Sequence, residues 1–181
     1  VYAANGLFQE QGVPAIRNLT RRFVEQKDDE IFCFGIPKSV VDLNGVEFHN
    51  ALHQKRIAKK QVFWHIYNKD GIERVQYLKT LPYTKVRIFE NNYPVNTRIC
   101  GDEVCIILYS SDPPISVVIK NRQMAEAYRQ YFWLLWDQPR NLFFRLGWAE
   151  FELISRWFHV RAPQGLIDAV NRETTLAMTS E

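Results

Sequence analysis

The chain has 181 residues, of which 46% are apolar and 24% are charged, and this globular composition excludes a disordered or fibrous protein. Its formal net charge of +3 is too small to predict a nucleic-acid-binding surface by itself. Cys33, Cys100 and Cys105 form no CxxC pair, which argues against a disulfide framework or a zinc knuckle. No apolar stretch is long enough to span a bilayer, and no signal-peptide pattern opens the chain, so we expect a cytoplasmic protein without membrane contact.

Hydrophobic periodicity predicts alternating helices and strands in the first half of the chain. Helical spacing predicts helices over 13–27, 46–60 and 72–78. Short runs rich in β-branched and aromatic residues predict strands over 30–36, 62–67 and 85–89. The sequence begins with Val1 rather than Met, so we expect it to belong to a longer chain.

The second half adds a hairpin, one more strand and a long helix. Segments 97–100 and 104–109 flank Gly101-Asp102-Glu103, which has the composition of a tight turn. A strand is predicted over 115–120, and apolar residues from Met124 to Leu135 then share one helical stripe. This order of elements predicts an α/β fold with a mixed sheet that is covered by helices on both faces.

The composition changes after residue 138. Segment 139–181 is rich in aromatic residues that occupy several sides of a predicted helix, so that helix must be buried. It could pack on the domain, on a partner subunit or at a membrane surface, in that order of preference. We therefore predict a domain over 1–138 and a helical extension over 139–181.

The stretch 95–136 resembles the closing half of nuclease-type phospholipase D domains. The similarity lies in the Gly101-Asp102 hairpin, the strand that ends in Lys120-Asn121 and the helix that ends in Phe132-Trp133-Leu134-Leu135-Trp136. The helix with Phe48, His49, Lys55 and Arg56 and the strand that follows it look like the same region of TrmB-like archaeal transcription regulators. The resemblance covers most of residues 1–138 and implies a phospholipase-D-like fold.

The catalytic HxKxxxxD signature of the resembled enzymes is not kept. When Asp102 takes the Asp position, Val95 stands at the nucleophilic His and Thr97 at the Lys. Valine cannot act as a nucleophile. The resemblance therefore implies a chain that is not an enzyme and has no catalytic residues.

Other candidate residues have more ordinary interpretations. His53-Gln54-Lys55 reads as HxK but lies on a predicted helix. His49 and His53 are one helical turn apart, yet Asn50 replaces the glutamate of HExxH, so a solvated pair is expected. Lys55, Arg56, Lys59 and Lys60 are typical of a solvated helical face, and His65 of a hydrogen-bonded structural histidine. No glycine-rich phosphate loop or GxSxG elbow occurs, and no metal or cofactor is predicted.

These observations favour the sensor domain of a TrmB-like transcription regulator. The resemblance implies a homodimer, a small-molecule effector such as a sugar, and DNA contact through a winged-helix domain outside this chain. A phosphodiesterase or nuclease of the phospholipase D superfamily and a purely structural dimerisation module are the alternatives. We place the ligand site at strand ends, around Thr97, Asp102, Tyr109, Ser110 and Ser111. An equal alternative is that Thr97 and Tyr109 are ordinary strand residues and the two serines open a turn.

Overall fold

Eight strands form one mixed sheet in the order β1-β2-β8-β7-β6-β3-β4-β5. The computed structural model describes residues 3–4, 6–89 and 92–137, so the predicted extension over 139–181 lies outside the described residues. The strands are β1 (Ala3–Ala4), β2 (Leu7–Gln11), β3 (Glu30–Ile36), β4 (Val62–Tyr67), β5 (Thr84–Ile88), β6 (Asn96–Cys100), β7 (Glu103–Leu108) and β8 (Ile115–Lys120). The helices are α1 (Val13–Glu25), α2 (Ser39–Asn44), α3 (Val46–Ala58), α4 (Ile72–Leu78) and α5 (Arg122–Asp137).

Strand direction divides the sheet into two parts. β3, β4 and β5 are parallel to one another, as expected for strands joined through helices. From β3 through β6, β7 and β8 to β2, every neighbouring pair is antiparallel. The predicted α/β fold with a mixed sheet is therefore confirmed.

Three short elements were not predicted, and the first of them, β1, has only two residues. β2 has only two apolar residues, Leu7 and Phe8, and it pairs with β8 next to the sheet edge. α2 has six residues, too few for helical periodicity to be recognised. The other predicted helices and strands lie within a few residues of their expected bounds.

Side chains alternate between the two faces of the sheet, and helices cover both. α1, α2, α3 and α4 pack on one face, which we call the four-helix face. α5 packs on the other, which we call the α5 face, through Phe132 and Leu135. Phe32 lies edge-on to Phe132 with ring centroids 5.1 Å apart, so aromatic contacts dominate this side. In the described part of the chain, no helix is both long and apolar enough to cross a membrane.

Candidate functional site

A row of polar side chains crosses the centre of the four-helix face. Cys33 on β3 is paired with His65 on β4 and with Arg98 on β6. Residues paired in this way project from the same face as close neighbours. His65, Cys33 and Arg98 therefore stand side by side where an apolar core is expected.

Helix α3 places a second set of polar side chains above this row. His49, Leu52, His53 and Arg56 follow the i, i+3, i+4, i+7 spacing of one helical face. His53 and Arg56 are buried, with 7% and 1% of their surface exposed, and His49 is half-buried. The prediction of a solvated histidine pair was therefore wrong. The predicted solvated face is confirmed for Lys55, Lys59 and Lys60, which are exposed, and is wrong for Arg56. His49, His53 and Arg56 occupy the stripe with which α3 faces the sheet, and local charge runs do not reveal that orientation.

A cavity of about 40 Å³ lies between the sheet and helices α1, α2 and α3. Its wall is formed by Thr20, Val24, Cys33, Ile36, Val40, His49, Leu52, His53, Arg56, Phe63, His65, Tyr67 and Arg98. A volume of roughly 10–15 Å³ on this measure holds one water molecule, so the cavity has room for a few waters or a small ion.

Arg98 projects from β6 into this region and is 5% exposed. Its Nε donates to Asn96 Oδ1 over 3.0 Å, and its Nη2 donates to the Tyr109 hydroxyl over 2.9 Å. Its Nη1 donates to Thr20 on α1. Burial raises the pKa of the Tyr109 hydroxyl to about 12, so that group is neutral at physiological pH. Arg98 is thus an enclosed cation whose hydrogen-bond partners are neutral.

Arg56 is the second buried cation, and it joins the end of α3 to the strands β4 and β5. Its Nη1 donates to the carbonyl oxygens of Gln61, Pro82 and Tyr83, at 3.3, 3.3 and 2.9 Å. Its Nη2 donates to the Thr84 hydroxyl. Burial lowers the pKa of Arg56 to about 10, which leaves the guanidinium protonated at neutral pH.

The Arg56 contact also fixes the tautomer of His53. Arg56 Nε donates to His53 Nδ1 over 2.9 Å. A guanidinium has no acceptor, so neutral His53 must accept on Nδ1 and carry its proton on Nε2. The same reasoning gives His49 a proton on Nε2, because that nitrogen lies 3.2 Å from the Val40 carbonyl oxygen.

His65 is buried without a hydrogen-bond partner. It is 3% exposed, and neither Nδ1 nor Nε2 has a partner. The prediction of a hydrogen-bonded structural histidine was therefore wrong. An unpaired buried polar group costs about 1–3 kcal/mol, so a histidine retained in this state points to a water or a ligand in the cavity.

The environment favours the neutral form of all three histidines. Burial, with the nearby Arg98 as the next cause, lowers the pKa of His49 to about 4. Burial and the adjacent Arg56 lower the pKa of His53 to about 2. Burial and the neighbouring His53 hold the pKa of His65 well below its usual value. The permanent charge beside the cavity therefore comes from arginine.

The five residues of the predicted ligand site are not brought together. Asp102 is exposed in the turn between β6 and β7, whereas Ser110 and Ser111 follow the far end of β7. At about 3.3 Å per residue, the two ends are roughly 25 Å apart. Thr97 is fully buried between Val95 and Ile99, which pack on the α5 face, while Tyr109 packs on the four-helix face. Their placement does not support one site formed by all five.

Only Tyr109 of these five contributes to the polar region of the four-helix face, where it binds Arg98. Tyr109 is 6% exposed, so its ring is not free to stack on a ligand. Ser111 donates from Oγ to the Leu108 carbonyl oxygen over 3.0 Å, which is the turn role given as the alternative. Among the described residues, no group of three or more His, Cys, Asp or Glu side chains could hold a metal ion.

Comparison with known proteins finds similarity of fold. No family model and no curated protein sequence matches the chain. TrmBL2, described as an archaeal chromatin protein with a novel mode of DNA binding, superposes with a TM-score of 0.56 at 16% identity. That match covers 75% of this chain and 54% of TrmBL2, so the chain spans about half of its length. NucT from Helicobacter pylori superposes with a TM-score of 0.51 at 12% identity, over 70% of this chain and 93% of NucT.

These two likenesses confirm both parts of the predicted resemblance at the level of fold. TrmBL2 represents the TrmB-like proteins and NucT the phospholipase-D-like fold. At such low identity the likeness concerns architecture alone. The mixed α/β sheet of this chain thus has a phospholipase-D-like fold, as in NucT, and the same architecture is similar to part of TrmBL2.

The buried histidines predict a loss of stability in mild acid. Their folded-state pKa values lie below the unfolded value of 6.5, so the unfolded chain takes up protons that the folded chain cannot accept. The free energy of unfolding should therefore fall as the pH drops below 6.5, towards about 4. His65→Phe should flatten this dependence by up to about 1.4 kcal/mol per pH unit. Urea denaturation between pH 7 and 5 measures both slopes, and equal slopes would contradict the assignment.

Proposed function

We propose that this chain is the ligand-sensing and dimerisation domain of a TrmB-like transcriptional regulator and that it has no catalytic activity. The observation that carries the proposal is the cavity on the four-helix face. Its wall combines the cation Arg98 with His65, whose ring nitrogens have no partner. A mainly apolar concavity with a few polar side chains in its wall is typical of a binding site.

The likeness to TrmBL2 supports the regulator part of the proposal. TrmBL2 is a DNA-binding protein, and this chain corresponds to about half of its length. The formal charge of +3 is small for a chain that binds DNA by itself. We therefore assign DNA contact to a winged-helix domain outside this chain, and effector binding to the cavity.

The environment of Val95 and Thr97 supports the absence of catalysis. Both residues are buried under α5, with 1% and 0% exposure, so a substrate phosphate has no access to them. His53, the nucleophile of the rival phosphodiesterase, uses its Nδ1 lone pair to accept from Arg56. A nucleophilic histidine needs that lone pair for phosphorus.

Purified protein should accordingly leave bis-p-nitrophenyl phosphate unhydrolysed, with p-nitrophenolate release equal to the blank. The assay should include NucT as an active-fold comparison and a mock purification from the same host. Turnover that is lost in His53→Ala and retained in His49→Ala would establish the phosphodiesterase instead.

A ligand screen tests the sensing role. We expect at least one small metabolite or ion to raise the melting temperature of the parent in a saturable way, because a ligand that binds only the folded state stabilises it. The effect should shrink in His65→Phe, which removes the unpaired imidazole. It should persist in Trp64→Phe, which changes the neighbouring residue on the opposite face of β4. A full panel without any stabiliser would contradict a sensing domain.

Dimerisation is the remaining part of the proposal. It is suggested by the resemblance to phospholipase D domains that carry one copy of the HxKxxxxD signature and associate in pairs. Helix α5 also exposes Tyr131, Trp133 and Leu134, by 44, 36 and 46%. A cluster of exposed apolar side chains favours a protein contact.

Sedimentation at micromolar concentration should therefore show a dimer. Leu134→Glu should weaken it, because burying an added carboxylate at the contact is costly. Gln123→Glu adds the same charge at the exposed beginning of α5 and serves as the control. A parent that stays monomeric at these concentrations would refute the dimer.

A further inference from the structure

We propose that the cavity on the four-helix face binds a small oxyanion, of the size of phosphate or sulfate, between Arg98, His53 and His65. The inference rests on the proposed sensing function and names the chemical class of its effector. It also replaces the sugar that the sequence resemblance suggested with an ion.

Two buried positive charges lie at the cavity wall without a counter-ion. Within residues 3–4, 6–89 and 92–137, the ion pairs are Arg22 with Glu103 and Arg122 with Glu126. Neither involves Arg56 or Arg98, which are the two buried guanidinium groups. Enclosing a cation away from water costs several kcal/mol, which hydrogen bonds and opposite charges offset. Every nitrogen of Arg98 and of Arg56 donates to a neutral acceptor, so neither group has a counter-charge, and a bound anion beside Arg98 would supply one.

More cationic groups lie around the same region. Arg17 on α1 and Arg74 on α4 each bury an Nε atom that has no hydrogen-bond partner. The positive charges of Arg17 and Arg74 both contribute to the lowered pKa of His49. The electrostatic field in the cavity is therefore positive from several sides, which selects an anion over a neutral or cationic ligand.

The cavity wall also presents hydrogen-bond donors that have no acceptor. His65 is buried with both ring nitrogens unpaired, so its N–H group has no acceptor within the described structure. His53 carries its proton on Nε2, because its Nδ1 accepts from Arg56. Two imidazole N–H groups and a guanidinium are donors that match the oxygens of an anion.

The size of the cavity also favours a small ion. A volume of about 40 Å³ holds roughly three water-sized groups, so it accepts three oxygens of a tetrahedral oxyanion, and the fourth can face the opening of the cavity. A pyranose sugar is larger than that space. Water alone would give His65 its hydrogen bonds but would leave the charge of Arg98 uncompensated.

Isothermal titration of the parent with inorganic phosphate and with sulfate, at pH 7 and constant ionic strength, measures the binding. We expect saturable binding of at least one of these anions with one site per chain, and none of chloride at the same concentration. Arg98→Met keeps the bulk of the side chain and removes its charge. It should weaken the affinity about 10- to 100-fold, the loss that follows from removing a charged hydrogen-bonding partner.

The matched control is Arg22→Met, the same substitution at an arginine whose side chain is 46% exposed and lies outside the cavity wall. This variant should bind like the parent. His65→Phe provides a second test that does not depend on how Arg98→Met folds, and it should also weaken binding. Equal affinity in the parent and in folded His65→Phe, or no binding of either anion to the parent, overturns the proposal.

Two further titrations separate this proposal from the sensing function on which it rests. Glucose 6-phosphate should bind more weakly than inorganic phosphate if the free ion is the ligand, and more tightly if the phosphoryl group of a metabolite enters the cavity. Glucose should not bind. If phosphate, sulfate and glucose 6-phosphate all fail while a neutral metabolite stabilises the parent but not His65→Phe, the oxyanion is wrong and the sensing function stands.

Discussion

The enclosure of the Arg98 guanidinium determines how the four-helix side of this protein is built. Arg98 binds Thr20 on α1, Asn96 on its own strand and Tyr109 after β7, so one side chain links a helix to two strands. A cation cannot be covered by apolar side chains alone. The polar neighbours Cys33, His65 and His53 accordingly lie here, and the cavity lies among them.

The two faces of the sheet differ in their side chains: aromatic and aliphatic packing dominates the α5 face, and most of the buried polar side chains lie on the four-helix face. Alternation along β6 sends Val95, Thr97 and Ile99 towards α5, and Asn96 and Arg98 towards the other four helices. The α5 face is closed by stacked and edge-on aromatic rings around Phe132. Val95 and Thr97, which the sequence resemblance places at the signature His and Lys, are therefore part of a packed core, whereas Asp102 is exposed in the turn between β6 and β7. Most of the buried polar side chains lie on the opposite face of the sheet.

Local patterns were sufficient to predict most of the fold but not the cavity. Strand β3 and helix α4 were recognised because an apolar run and a helical period are properties of neighbouring residues. The burial of Arg56 and His65 depends on which strands pair. Cys33 lies between His65 and Arg98 in neighbouring strands, and these three residues are far apart in the sequence. The sequence did contain one sign of the cavity. His49, Leu52, His53 and Arg56 share one face of α3, and the only apolar residue among them is Leu52, although the buried face of such a helix is usually apolar. The predicted hairpin also implied that Asp102 and Ser110 lie at opposite ends of the sheet.

A ligand in this cavity would lie beside contacts that join helices to the sheet and to one another. Arg98 on β6 binds Thr20 on α1, Arg56 on α3 donates to the Thr84 hydroxyl on β5, and Arg17 on α1 donates to the Asn44 carbonyl oxygen at the end of α2. A ligand shifts a conformational equilibrium only by the difference in its affinity for the two states. An anion that neutralises Arg98 would favour the arrangement in which α1 and α3 enclose the cation, because the cost of burying that charge falls when it is paired. The charge of Arg98 would thus couple a bound anion to the contacts of α1 and α3 with the sheet.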